Sequence, residues 1–192
     1  DNMGKVRNRG VEVNLNVNAI QKQDWGLNVF FRASHNKNRI MEISDALKEY
    51  NQKVDDYYSK YPNYNKPLLK YTEGASLTSI YAVRSLGISP ANGQEVFLDA
   101  NGNVTYDWNT TNQVVVGNTE PKLQGSFGFN FRWKRWTLFT AALFETGGDL
   151  YNSTLVDNVE CADIWGSNVD KRVYTQRWLE PGDVAPLKSI KD

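Results

Sequence analysis

The strictest constraint in this chain is a two-residue alternation. Over residues 10–20, Val11, Val13, Leu15, Val17 and Ala19 fall on one side of an extended backbone, and Glu12, Asn14, Asn16 and Asn18 fall on the other. Only a strand sends successive side chains to opposite faces; a helix would scatter this set around its girth. Residues 21–24 form a polar turn. The alternation resumes at Trp25, Leu27, Val29, Phe31 and Ala33, against Gly26, Asn28, Arg32 and Ser34, with Phe30 interrupting the polar set. The two segments predict an antiparallel hairpin. Each strand is about the 9–11 residues that a tilted membrane strand requires.

A second hairpin is predicted over residues 125–146. Phe127, Phe129, Phe131 and Trp133 share a face, opposite Ser126, Gly128, Asn130 and Arg132. Lys134-Arg135 is a tight turn, after which Trp136, Leu138, Thr140, Ala142 and Phe144 continue the apolar face. The opposite side of this last strand (Phe139, Ala141, Leu143) is also apolar, which suits packing against something inside a barrel. Trp133 and Trp136 flank the turn, where a membrane-interface aromatic girdle belongs, with basic residues just beyond it in water. Pattern alone leaves a soluble sandwich hairpin equally open, since aromatic residues face such a core too.

Composition narrows the choice. The chain has 192 residues, with Lys plus Arg equal to Asp plus Glu at 22 each, so no basic face points to nucleic acid. One cysteine, Cys161, excludes an internal disulfide framework. One histidine, His35, argues against a His-rich metal site or a His-based triad, and reads as a solvated loop residue. Six Trp, ten Tyr and eight Phe accompany abundant Asn and a negative mean hydropathy. A barrel produces this combination, because averaging a lipid-facing and a lumen-facing set hides the hydrophobicity. No apolar run approaches the roughly 18 residues of a spanning helix. The chain does not open on Met and carries no secretory signal, as expected of a piece processed or truncated upstream.

The stretch between the hairpins, residues 36–123, differs in pattern. Ser44 can cap a helix. Ile43, Leu47, Tyr50, Val54, Tyr57 and Tyr61 recur at helical spacing, predicting a helix over about 44–61 that stops at Pro62. A strand is expected over 77–86. A small hairpin is expected over 94–106, turning at Asn101-Gly102 with the positive φ values of a type I′ turn. An insertion of this size is usually functional. Asp99, Asn101 and Asn103 resemble the start of a calcium loop, but Val104 and Thr110 stand where that loop needs Gly and Glu, so the turn reading is preferred. No glycine-rich phosphate loop, nucleophile signature or paired carboxylates emerge, and neither enzyme chemistry nor a cofactor is expected. Tyr57, Tyr58, Tyr61 and Tyr64 form either the buried side of the helix or an aromatic surface for a ligand or partner.

Several ordered segments carry a family resemblance. They are Asn2-Met3-Gly4-Lys5-Val6-Arg7-Asn8-Arg9-Gly10-Val11-Glu12, Ser79-Ile80-Tyr81-Ala82-Val83-Arg84-Ser85-Leu86-Gly87-Ile88-Ser89-Pro90, Gly93-Gln94-Glu95, Asp99-Ala100-Asn101-Gly102-Asn103-Val104, Val116-Gly117-Asn118-Thr119-Glu120-Pro121-Lys122 and Gly125-Ser126-Phe127-Gly128. In this order and spacing the chain resembles TonB-dependent outer-membrane receptors of the SusC/RagA type. The resemblance implies an all-β membrane barrel, with this chain a late part of about 22 antiparallel strands, plus a large α/β extracellular loop. It implies a bacterial outer-membrane location, contact with outer-membrane lipid, a TonB complex engaged through parts not in this sequence (the plug domain and TonB box), and a SusD-like surface lipoprotein as lid. The cargo would be oligosaccharide or peptide. The division that follows is 1–35 barrel hairpin, 36–123 extracellular loop, 124–147 barrel hairpin, and 148–192 the start of the next loop. Ligand or partner contacts are expected at Tyr57, Tyr61, Tyr81, Arg84 and Trp108. Asn14, Asn16, Asn28, Arg32 and Asn130 are expected to line the lumen, with Trp133 and Trp136 at the membrane interface. The competing expectation is a soluble β-rich carbohydrate-binding module.

Overall fold

The computed structural model describes residues 4–61, 64 and 66–190. In chain order the strands are β1 (Gly4–Gln21), β2 (Trp25–Ile43), β3 (Ser79–Ala82), β4 (Arg84–Ile88), β5 (Glu95–Leu98), β6 (Val104–Thr105), β7 (Val114–Asn118), β8 (Leu123–Trp133) and β9 (Trp136–Thr146). The helices are α1 (Asp45–Lys60) and two short ones, α2 (Ser153–Leu155) and α3 (Arg172–Thr175). Among the described residues, no helix is long and apolar enough to cross a membrane. The chain divides into two compact units.

The first unit takes in residues 4–48, 71–78 and 118–149. Its centre is a four-stranded antiparallel sheet in the order β1-β2-β8-β9. Register carries one face across all four strands. Val17 pairs with Val29, Val29 with Phe129 and Phe129 with Thr140; Leu15, Phe31, Phe127 and Ala142 form the next row. Directly paired residues lie on the same side of a sheet, so the alternations read from separate segments add into one apolar face. That face is not a core. Leu15 is 54% exposed, Phe127 51% and Leu138 54%. An exposed apolar surface spanning four strands is far beyond what scattered surface hydrophobics explain.

The strands run longer than the alternation suggests. β1 starts at Gly4 and β2 continues to Ile43, through Lys37 and Arg39, because ladder hydrogen bonds do not require an apolar face. Ala19 drops out of the apolar row, since the register shifts between Asn18 and Ile20. Past the apolar rows, a polar clasp holds the loop ends. Glu120 accepts from the side chains of Asn36 and Asn38, and the Asn38 amide oxygen accepts from the Ser76 hydroxyl (2.7 Å) and the Leu77 N–H (2.8 Å). Thr78 donates its hydroxyl to the Asn118 side chain at 2.6 Å, and the Asn118 N–H donates to Asp149 at 3.0 Å. His35 belongs here and not to a loop. It sits on β2 with its Nδ1 against the Lys122 carbonyl, so Nδ1 carries the proton.

The second unit takes in the described residues of 49–70, 79–117 and 150–190. β3 pairs with β7, and β4, β5 and β6 form a small sheet. The strand expected over 77–86 is therefore two strands, β3 and β4, serving different sheets. The β5–β6 connection is not a type I′ turn. Only Gly102 has positive φ, at 85°, and the loop closes by Asp99 N–H to Asn103 O at 2.9 Å. The Asp99 carboxylate sets this shape by accepting from the N–H groups of Asn101 and Asn103, both at 2.8 Å. Residues 150–190 build a core of Val159, Val173 and Leu187, with Leu155, Ile164 and Val169 packed around it.

α1 begins directly after Ser44, whose hydroxyl accepts from the Leu47 N–H at 3.3 Å. It ends at Lys60; the Pro62 stop lies outside the described residues. Its buried stripe is Leu47, Val54 and Tyr58, while Tyr50, Tyr57 and Tyr61 are 40%, 40% and 45% exposed. Tyr58 follows Val54 by four residues and stays on its face. Tyr57 and Tyr61 are offset by one position, about 100° round the helix. Burial of Tyr58 suits its hydroxyl, which donates to Lys66 O (3.0 Å) and accepts from the Leu68 N–H (2.9 Å).

Candidate functional site

Two places bring chemistry together, one in each unit. On the sheet, the face opposite the apolar one carries Asn14, Asn16, Asn28, Arg32 and Asn130. Asn14 pairs with Arg32, and Asn28 pairs with both Asn18 and Asn130. The Asn28 amide donates to Asn16 at 2.6 Å and to Asn18 at 2.8 Å. Asn14 and Arg32 border a shallow recess of about 460 Å³ together with Ser126 and Leu143. This face is not uniformly polar. Phe30 stacks on Phe139 with ring centroids 6.1 Å apart, and Leu143, four residues further along β9, is 86% exposed. The apolar second face of β9 thus makes a small island among asparagines. Gly128 lies beneath Phe30: a Cβ there would meet the ring at 2.7 Å.

In the second unit, a cavity of about 740 Å³ opens between the small sheet and residues 151–188. Such volumes fall within the range of about 300–1,000 Å³ typical of ligand sites. Tyr81 and Phe97, both buried, form part of its wall, with Tyr106, Trp108 and Tyr151. Its charged groups balance: Glu95 and Glu160 against Arg177 and Lys188. Arg177 is 9% exposed and reaches three backbone carbonyls, those of Lys188 (3.1 Å), Val159 (3.0 Å) and Glu160 (2.8 Å). Its Nε has no hydrogen-bond partner among the described residues, nor has the buried Oε1 of Gln113, which also lines the cavity. Burial, and next the Glu95 carboxylate, push the Glu160 pKa up, while Arg177 and Lys188 pull it back. Burial, with Glu160 as the next cause, pushes the Tyr151 pKa up to about 12.

Of the contact residues read from sequence, Tyr81 and Trp108 come together in this cavity. Tyr57 and Tyr61 do not line it. They form a separate exposed cluster with Tyr64, at centroid distances of 4.7 Å (Tyr57–Tyr61) and 5.2 Å (Tyr57–Tyr64). Arg84 opens β4 exposed and outside the cavity lining. Sequence reading missed Gln113, Tyr151, Glu160 and Arg177; the last three lie in residues 148–192, which carry no periodicity that announces a structured wall. The one available signal is Trp178, a bulky residue in a polar stretch. Its ring covers Gly93, and its Nε1 donates to the Pro90 carbonyl at 3.0 Å. No cation is needed at Asp99, whose oxygens are engaged by the turn; among the described residues, no three His, Cys, Asp or Glu come together as metal ligands.

At one end of the sheet, Trp133 pairs across strands with both Trp25 and Trp136. Lys22 lies over the Trp25 ring (5.6 Å) and Lys134 over the Trp133 ring (5.4 Å), so the tryptophans form a row capped by ammonium groups.

No family model matches the chain. A curated relative, TonB-dependent receptor P3 of Formosa agariphila, is 23% identical over 223 aligned residues, which take in 98% of this chain and 22% of the relative. The structure of the RagAB peptide transporter matches the fold with a TM-score of 0.68 at 18% identity, over 97% of this chain and 20% of that one. This chain therefore spans about a fifth of the length of the proteins it matches. Over nearly its whole length, then, the chain is similar in sequence to a TonB-dependent receptor and in fold to the RagAB transporter, as the ordered SusC/RagA-type segments imply.

Proposed function

We propose that this chain is a late-barrel portion of a TonB-dependent outer-membrane receptor that imports oligosaccharides or peptides under a SusD-like lipoprotein lid. The observation that carries the reading is the one-sided apolar face running across β1, β2, β8 and β9, bounded at one end by the Trp25–Trp133–Trp136 row. Lipid covers such a face at no cost; water does not. The free edges of β1 and β9, unpaired among the described residues, would join neighbouring strands of a closed barrel of about 22 strands. The Lys134-Arg135 turn then lies on the periplasmic side. The second unit and the polar clasp lie outside the cell, and Asn14, Asn16, Asn28, Arg32 and Asn130 face the lumen. Chemistry is not part of this role: the receptor binds, opens and passes cargo.

The test is fractionation and uptake with the full-length receptor. The expected result is a heat-modifiable outer-membrane protein whose deletion removes growth on one class of oligosaccharide or peptide. The competing soluble carbohydrate-binding module predicts the opposite behaviour for the 192-residue chain. If that chain proves monodisperse and melts cooperatively without detergent, the barrel reading is lost.

A further inference from the structure

The apolar face of the sheet ends in a basic patch, at the end away from the tryptophan row. The alternation that puts Val11, Val13, Leu15 and Val17 on one side of β1 continues back to Arg9 and Arg7, and on β2 it continues to Lys37 and Arg39. The ladder has no register shift between Val6 and Asn18, so these four cations stand on the same side as the apolar rows. Asn36 and Asn38 point the other way, into the clasp with Glu120. The cations pair like with like: Arg9 faces Lys37, and Arg7 faces Arg39. Like charges directly opposite on a sheet repel. All four residues are exposed, and none forms a salt bridge among the described residues. The next row sets Lys5 opposite Glu42 and leaves the excess unchanged. Lys37 lies twelve residues along β2 from Trp25. At about 3.3 Å per residue and a tilt of about 45°, that is about 28 Å across a bilayer, close to the thickness of its hydrocarbon core.

We propose that Arg7, Arg9, Lys37 and Arg39 bind the phosphates of a bisphosphorylated glycolipid in the outer leaflet of the membrane. This inference rests on the barrel reading, with the clasp end outside the cell. If the Trp25–Trp133–Trp136 row marks one interface, the four cations lie at headgroup depth in the opposite leaflet. Their guanidinium forks match phosphate oxygens two at a time. The charge count selects the headgroup. A phospholipid phosphodiester brings one negative charge to four cations. Two phosphomonoesters on one sugar headgroup bring about 3–4 at neutral pH. The acyl chains then run down the rows of Val13 with Ala33 and Leu15 with Phe31, so one lipid meets both the charged and the apolar part of the same face. Bound phosphate turns the repulsion between the paired cations into attraction and steadies this end of the sheet.

The test uses the full-length receptor, delipidated in detergent. Bisphosphoryl lipid A, its dephosphorylated form, phosphatidylglycerol and phosphatidylethanolamine are titrated in turn, and bound lipid is read by native mass spectrometry. Two double variants, Arg9→Gln with Lys37→Gln and Arg7→Gln with Arg39→Gln, are compared with wild type and with Lys134→Gln at the other end of the sheet. The expected result is one bisphosphoryl lipid A whose affinity falls about thirtyfold in each double variant, about fivefold per charge removed, and is unchanged in Lys134→Gln. Without lipid, both double variants should lose their heat-modifiable band at the wild-type temperature or above it, because like-charge repulsion is relieved. A lower temperature there would mean that the cations only support the sheet, and would overturn the site. So would lipid A affinity that neither double variant changes, or that Lys134→Gln weakens as much. Equal binding of the dephosphorylated form overturns the phosphate contacts. Phosphatidylglycerol bound in preference to lipid A, and lost in the same variants, overturns the choice of glycolipid. Each of these results, in a receptor that still fractionates with the outer membrane, leaves the barrel reading standing; a receptor that does not fractionate there overturns both.

Discussion

Trp133 faces Trp136 across the Lys134-Arg135 turn, and Trp133 also faces Trp25 on the neighbouring strand. The row marks one end of the apolar face, while Val29 and Phe129 pair near its middle. A charge should therefore cost differently along one strand. If the apolar face is the lipid-facing band proposed above, Phe129→Arg is expected to destabilise the folded protein by about 2–4 kcal/mol and Trp136→Arg by no more than about 1 kcal/mol, the depth dependence such a band imposes. Asn130→Arg, one residue along but on the other face, should be close to neutral. Denaturant titration in detergent or lipid checks the order. Equal costs at Phe129 and Asn130 would contradict the assignment of faces.

Gly128 has no room for a side chain. A Cβ would sit 2.1 Å from the Thr140 carbonyl oxygen and 2.7 Å from the Phe30 ring. Gly128→Ala is expected to cost about 1–3 kcal/mol by overpacking. Gly128→Ala combined with Phe30→Ala should recover only part of this, because the carbonyl contact remains. The midpoint for loss of the heat-modifiable band measures both variants.

The sheet was legible because its signal is local and repeated. Val11 to Val17 and Phe127 to Trp133 alternate whatever surrounds them, and pairing then had only to align the rows. Trp133 and Trp136 could be read as flanking a tight turn because Lys134 and Arg135 sit between two such runs. The cavity was only half legible. Trp108 stands out as an aromatic residue in polar surroundings, and Tyr81 falls in one of the ordered segments that carry the family resemblance, but their partners Tyr151 and Arg177 come from a segment whose contacts are long-range and aperiodic. On α1, spacing alone could not separate Tyr57 from Tyr58. The hydroxyl of Tyr58 has backbone partners at Lys66 and Leu68, which only the folded loop supplies.

Gly93 joins the two halves of the second unit. Its φ is +74°, and a Cβ there would overlap the Trp178 ring at 2.4 Å. Gly93→Ala should displace Trp178 and break its bond to the Pro90 carbonyl. The expected cost is about 1–3 kcal/mol from combined strain and overpacking. Limited proteolysis should then show faster cleavage within residues 79–117 and 150–190, with the sheet unit unaffected.

Glu160 makes the stability of the second unit depend on pH. Its folded pKa lies above the unfolded value of 4.5, chiefly through burial and next through Glu95. The folded state therefore holds this proton more tightly than the unfolded chain does. That advantage is complete at low pH and is lost as pH rises from 4.5 through the folded pKa. Glu160→Gln removes the ionisation. The variant should match wild type in thermal scans below pH 4.5, and melt at a higher temperature than wild type at neutral pH. At alkaline pH a second titration acts in the same direction. Tyr151 keeps its proton to about 12, against an ordinary value of 10.0, so its contribution to the folded state fades between those values as pH rises. Tyr151→Phe should flatten the loss of stability above pH 10.0, and an ultraviolet difference titration against wild type should recover the displaced phenol.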